Sequence, residues 1–183
     1  MALDARALAA EVRDDDVGLV AHFDVIDAVA ADLGALPGHG GEDVAELRLP
    51  GRGVVRLEAR PGGAAGVGRA DFRDLVRVAL RLRPDRIVVG EVRGAEAADM
   101  VWALGTGHDG SMSTVHAPTA SDAVDRLTSF AVAGADGAPV DVVRQQVHAA
   151  LHTLVGVERR PDGRRVVASL HDLGSDGRLV PVT

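Results

Sequence analysis

An α/β fold built on a parallel sheet is the class this sequence predicts, and three stretches predict it. Ile87-Val88-Val89 is an apolar, β-branched run that ends in Gly90-Glu91; such a run reads as a strand buried on both faces. Ser111-Met112-Ser113-Thr114-Val115 is a second strand-like run, and it ends on His116. Between the two lies length for one helix, the β-α-β order that makes neighbouring parallel strands. Both runs therefore finish on an ionisable residue at a strand's carboxyl end, the edge where ligands bind in open parallel sheets.

Taken in order, Met1 to Leu36 reads as helical. Leu19, Phe23, Ile26, Ala30 and Leu33 recur at helix spacing, and Gly34 with Pro37-Gly38 stops the pattern. The cluster Gly38-His39-Gly40-Gly41 reads as a linker. It lacks the Gly-Lys-Ser/Thr ending of a phosphate loop, and it follows a helical pattern with no helix start after it. Leu47 and Leu49, then Val55, Leu57 and Ala59, alternate with polar residues across the turn Pro50-Gly51-Arg52-Gly53, which predicts a hairpin. Pro61 to Gly68 is a glycine-rich connector.

Asp71 to Arg83 reads as a helix with the apolar stripe Phe72, Leu75, Val76, Ala79 and Leu80. Pro84 ends it. Ala95 to Leu104 is the next helix, with Ala97, Val101 and Leu104 in register and Met100 and Trp102 expected to pack against neighbours. Ser121 to Ala133 follows, capped by Thr119 with Asp122. Pro139 to Val155 reads as a further helix, Pro139 suiting its first turn. Hairpins around Pro161-Asp162-Gly163 and Asp176-Gly177 finish the chain.

Composition narrows the function classes. A chain of 183 residues, 46% apolar with a mean hydropathy of +0.10, can close a core of its own. Aromatics are 2%, so that core is made of Ala, Val and Leu. A net charge of −7 argues against a general nucleic-acid binder. No apolar run reaches membrane-spanning length, and the amino terminus lacks the basic-then-apolar order of a signal peptide. Cysteine is absent, which excludes disulfides and thiolate metal sites and makes the cytoplasm the default compartment. All 20 basic residues are arginine. A Walker A loop uses a lysine to reach the β- and γ-phosphates, and this chain has none.

The stretch "RDLVRVALRLRPDRIVVGEVRGAEAADM", followed by "GTGHDGSMSTVHA", resembles the motor domain of the bacterial secretion and pilus-assembly ATPases, in particular the Flp (tight-adherence) pilus and conjugation branch. The likeness runs from about Gly41 to Leu173. It implies a RecA-like P-loop NTPase motor domain that is incomplete, its P-loop strand and helix absent, with residues 1–40 as a helical segment and linker outside the likeness and 41–183 as the partial ATPase domain. By the resemblance, Glu91 is the Walker B carboxylate that orients or activates water, and His116, in the histidine box, contacts the γ-phosphate region. Glu42, Asp43 and Glu46 match the family's aspartate box, Glu46 on the catalytic side and Glu42 and Asp43 on the nucleotide side. His108 belongs to the histidine box as a further nucleotide-side residue. ATP with Mg is the implied cofactor, the metal held by Glu91 and Asp43. The implied partners are a homo- or mixed hexameric ring and an inner-membrane platform protein, with no nucleic acid. The implied location is the cytoplasm, peripheral at the inner membrane.

Each of these residues has a plainer reading. Glu91 could be a strand-end carboxylate paired with Arg86 or Arg93, and His116 a satisfied histidine at a strand end. Glu42, Asp43 and Glu46 could be a solvated acidic turn. His108, Asp109 and His116 could make a metal site on paper. An arginine acting on a neighbouring subunit's phosphates, as in ring ATPases, would come from Arg56, Arg60, Arg73, Arg77, Arg81 or Arg83. Without Walker A the chain is expected to be inactive alone. That leaves a motor domain lacking its front portion, a non-catalytic subunit of a mixed ring, or one half of a split enzyme.

Overall fold

The computed structural model describes residues 19–20, 28–32, 54–59 and 69–182. Among them, eight strands form one sheet in the order β3-β2-β4-β5-β1-β6-β7-β8. The strands are β1 (Leu19–Val20), β2 (Ala28–Asp32), β3 (Val55–Glu58), β4 (Arg86–Val89), β5 (Met112–Val115), β6 (Thr153–Arg159), β7 (Arg165–Leu173) and β8 (Leu179–Pro181). The helices are α1 (Phe72–Arg81), α2 (Ala97–Leu104), α3 (Ala120–Gly134) and α4 (Val140–Ala150). From β3 to β5 every pairing is parallel. From β5 onward every pairing is antiparallel, so the sheet is mixed, with its parallel half fed by α1 and α2.

Two amino-terminal expectations are corrected. Leu19–Val20 and Ala28–Asp32 are strands, where the spacing predicted a helix. An Ala-rich stretch has a local preference for helix, but pairing on both edges overrides it. Val29 lies opposite Val55 and Ile87 at once. β2 thus stands in the sheet between β3 and β4. The rest of 1–36, the glycine cluster at 38–41 and the Leu47–Leu49 strand lie outside the described residues.

The core elements follow their local chemistry. Asp71 caps α1 in a reciprocal box with Asp74, and Phe72, Leu75, Val76 and Ala79 are buried. Arg83, at a left-handed φ of 52°, turns the chain toward Pro84. In β4, Ile87, Val88 and Val89 are buried, as a strand sandwiched on both faces requires. Thr119 Oγ1 accepts from Asp122 N at 3.1 Å and donates to the Asp122 carboxylate at 2.6 Å, which starts α3. Helix α4 ends at Ala150, not Val155, because Thr153, Val155 and Val157 join the ladder of β6. The 161–163 and 176–177 turns join β6 to β7 and β7 to β8 as expected. At the first of them, hydrogen bonds from Arg164 hold the Asp162 carboxyl below its ordinary range. That contact supports the turn at neutral pH and fades as the pH falls through the lowered value.

One buried polar side chain ties the two central strands together. Ser111, 4% exposed, accepts from Ile87 N at 2.9 Å and donates to His108 O at 2.7 Å. Alanine there strands a buried N–H, at a cost of about 2 kcal/mol. Urea unfolding of Ser111→Ala should show a lower midpoint with an unchanged slope; an unshifted midpoint would contradict this role.

Candidate active site at the carboxyl edge of the parallel sheet

Parallel pairing of β4 with β5 puts Val88 opposite Met112 and Val89 opposite Ser113, so both strands end at one edge. The ladder runs on past Val89. Val92 N donates to Thr114 O at 3.0 Å, and Thr114 Oγ1 donates to Gly90 O. Glu91 is therefore held between two anchored residues, with Val92 buried at 1% exposure. Beyond it the loop folds on itself: Glu96 Oε1 accepts from Arg93 N at 2.6 Å and from Gly94 N at 2.7 Å. These two N–H groups stand ahead of α2, and the carboxylate supplies their partner.

Glu91 and His116 meet. Glu91 Oε1 lies 3.1 Å from His116 Nε2, while Glu91 Oε2 takes Arg93 Nη2. The carboxylate is mostly covered, with its side chain 20% exposed, and the imidazole is 34% exposed. The His116 carbonyl in turn accepts from Arg126 Nη1 of α3. Chemically this is an oriented carboxylate–imidazole pair at a sheet edge, able to polarise a water or a hydroxyl and to meet an anion. The plainer pairing of Glu91 with Arg93 is present as well. That with Arg86 is absent: Arg86 opens β4 at the other end, with Nε and Nη1 buried and unbonded.

Other expected site residues fall elsewhere. Glu42, Asp43 and Glu46 lie outside the described residues, as does Arg60. His108 is not at this edge. Its Nδ1 sits 3.3 Å from Ala103 O and from Thr106 Oγ1, and its carbonyl is bound by Ser111, which also binds Ile87 at the amino end of β4. The length of β4, about 13 Å at the usual rise per residue, separates it from Glu91, so it does not stand with Glu91 and His116 at the carboxyl edge. Among the described residues no group of three or more metal-ligating side chains converges. One carboxylate already engaged by two basic groups falls short of the oxygen-rich shell a hard cation needs, so the described donors do not by themselves fit Mg.

Of the candidate arginines, Arg73 is committed to Asp99 at 2.9 Å, with Asp136 at 3.9 Å. The hydrogen bond to Asp99 holds its guanidinium above the usual range. Three contributors were not picked out from the sequence: Thr114, Glu96 and Arg126. The Glu96 turn could have been suspected from its spacing to Arg93. Arg126 reaches back across ten positions from within a helix, a relation that only the start of α3 beside His116 creates.

The family profile described as "Type II/IV secretion system protein" matches residues 40–160. A putative conjugal transfer protein of Mycobacterium tuberculosis is 44% identical over 144 residues, 78% of this chain and 40% of its own length. The probable conjugal transfer protein TrbB of Sinorhizobium fredii is 38% identical over 125 residues, 68% of this chain and 35% of its own. The chain thus spans about two fifths or less of the length of these curated relatives. Among solved structures, the VirB11 ATPase of the Brucella suis type IV secretion system, crystallised with sulphate, superposes with a TM-score of 0.62 at 26% identity, over 91% of this chain and 43% of that one. The Legionella pneumophila ATPase DotB shares the fold, with a TM-score of 0.51 at 23% identity over 82% of this chain and 37% of its own.

Proposed function

This chain belongs to the type II/IV secretion system protein family, and on that premise we propose that it is part of a RecA-like motor domain of a secretion or Flp-pilus assembly ATPase. Complete members would couple ATP hydrolysis to pilus assembly or protein export. The observation that carries the reading is the 3.1 Å contact of Glu91 with His116 at the shared edge of two parallel strands. In this reading Glu91 is the Walker B carboxylate that orients the attacking water, His116 reports the γ-phosphate, and Arg93 holds Glu91 in its resting position. By the family likeness, Glu42, Asp43 and Glu46 would supply the acidic side, Asp43 and Glu91 being the pair expected toward Mg. The working assembly is a homo- or mixed hexameric ring on an inner-membrane platform protein, cytoplasmic and peripheral to that membrane. Among the described residues no helix is long and apolar enough to cross a bilayer.

The absence of lysine favours a second reading within the same site: the phosphate grip comes from another polypeptide, and the pair is the enzyme. Adding a strand-and-P-loop segment of the Mycobacterium tuberculosis relative in trans tests it. Phosphate release should appear with the segment and fall by about a hundredfold or more in Glu91→Gln, the scale of losing a positioned transition-state contact. A segment that binds the chain yet produces no Glu91-dependent turnover would rule out the split enzyme and leave a non-catalytic subunit.

A further inference from the structure

The outward face of α1 is unusual for a helix whose inward stripe is complete. Phe72, Leu75, Val76 and Ala79 point to the core, yet Val78 and Leu82 are 46% and 49% exposed. They sit among Arg77, Arg81 and Arg83, all exposed. Helix α2 lies alongside, joined through Arg73 and Asp99. One turn on from those two residues come Arg77 on α1 and Trp102 on α2, since side chains three or four apart share a helix flank. Trp102 was expected to pack against neighbours, and is instead 58% exposed. Among the described residues, Arg77, Arg81 and Arg83 make no ion pair, whereas Arg73 beside them makes two. In a chain carrying a net −7, this leaves a basic patch along the outer face of α1, bordered by Trp102 on the flank shared with α2 and by Val78 and Leu82 on the opposite flank.

We propose that the outer face of α1, together with Trp102 of α2, docks an acidic amphipathic segment of a partner protein. Guanidinium groups pair bidentately with carboxylates, and Trp with Arg is the pairing enriched at the centres of protein interfaces. The patch is too short for a bilayer. An interfacial helix turns its whole apolar face outward, while α1 spends its apolar face on the core. An extended anionic surface, lipid or nucleic acid, would also meet the chain's overall negative charge. A short segment feels only the charges within about 8 Å at physiological salt. The patch lies toward Arg83 and the amino end of β4, at the end of that strand opposite Glu91, so it stands or falls separately from the strand-edge site.

Trp102 is the chain's single tryptophan, and tyrosine is absent, so its emission reports this surface directly. The probe is a synthetic amphipathic helical peptide with leucine on one face and glutamate on the other; its control has lysine in place of glutamate. The acidic peptide should shift Trp102 emission to the blue and saturate. Affinity should fall about tenfold in Arg77→Gln/Arg81→Gln, as for loss of paired interfacial charges, with the melting temperature unchanged. Raising salt on the unaltered chain from roughly 50 to roughly 500 mM should weaken binding in the same direction. An equal response to the lysine peptide would overturn the proposal, as would salt-independent binding. A response to phosphatidylglycerol vesicles with none to the acidic peptide would assign the face to a membrane and overturn it too.

Discussion

Gly134→Ala should lower stability by about 3 kcal/mol, the upper part of the range for forcing extra atoms into a packed core. Gly134 is the last residue of α3, set against the loop that leads into α2. A Cβ there would run into Ala95 O and stand 2.8 Å from Ala95 C and 3.0 Å from Ala98 Cβ. Two of these are backbone atoms with no rotamer to escape into. Either α3 withdraws or the loop of Arg93, Gly94 and Ala95 moves, and that loop, closed by the Glu96 bonds, carries Arg93, the partner of Glu91. For a chain of this size the loss corresponds to a fall in Tm of about 6 to 12 °C. Gly137→Ala is the matched control. Its φ is 85° with nothing within 4 Å of a new Cβ, so it carries backbone strain alone, about 1 kcal/mol. Equal melting of the two variants would show that the close approach of α3 to Ala95 does not hold in solution.

This chain by itself should neither hold ATP tightly nor hydrolyse it above background. A P-loop supplies successive backbone N–H groups, a lysine and a hydroxyl around the phosphates, and no lysine occurs anywhere in the 183 residues. Glu91 and His116 supply a carboxylate–imidazole pair, which in the proposed role would position water but offers no grip on a triphosphate. Titration with a fluorescent ATP analogue is expected to give a Kd weaker than roughly 1 mM, equivalent to less than about 4 kcal/mol of binding. Phosphate release should match that of Glu91→Gln, the control for contaminating activity. Turnover that vanishes in Glu91→Gln would mean that arginines hold the phosphates, and the expectation would be wrong.

Legibility from sequence tracked how strongly local chemistry agreed with tertiary demand. Ile87–Val89 could be read because three β-branched residues stand between Pro84 and Gly90, and burial on both faces needs just such a run. The starts of α1 and α3 could be read from Asp71 and Thr119, whose side chains complete the caps. Glu91 and His116 were paired because both close strands, and strand direction alone brings such residues to one edge. Ala28–Asp32 could not be read: alanine carries no strand signal, and its ladder partners are 26 or more positions away. The end of α4 was missed for a related reason, since Thr153 and Val155 extend an apolar period that only the β7 partner resolves. His108 shares a motif with His116 but sits before β5 while His116 sits after it, so the strand itself drives them apart.

Leu19 and Val20 are the whole of β1, and each pairs with β5 on one side and β6 on the other. Among the described residues, two pairings on each side of β1 join the parallel half of the sheet to a hairpin-built half in which β6 and β7 share seven. Side chains also carry continuity across that seam: Val143 and Val147 of α4 share one apolar core with Leu151 and Leu154 on the hairpin side and Val115 on the other. Opening the sheet at β1 therefore has to disturb that core as well as the backbone pairing. The amides of β1 are expected to exchange with solvent ahead of those of β4 and β6, whose side chains are anchored in the shared core.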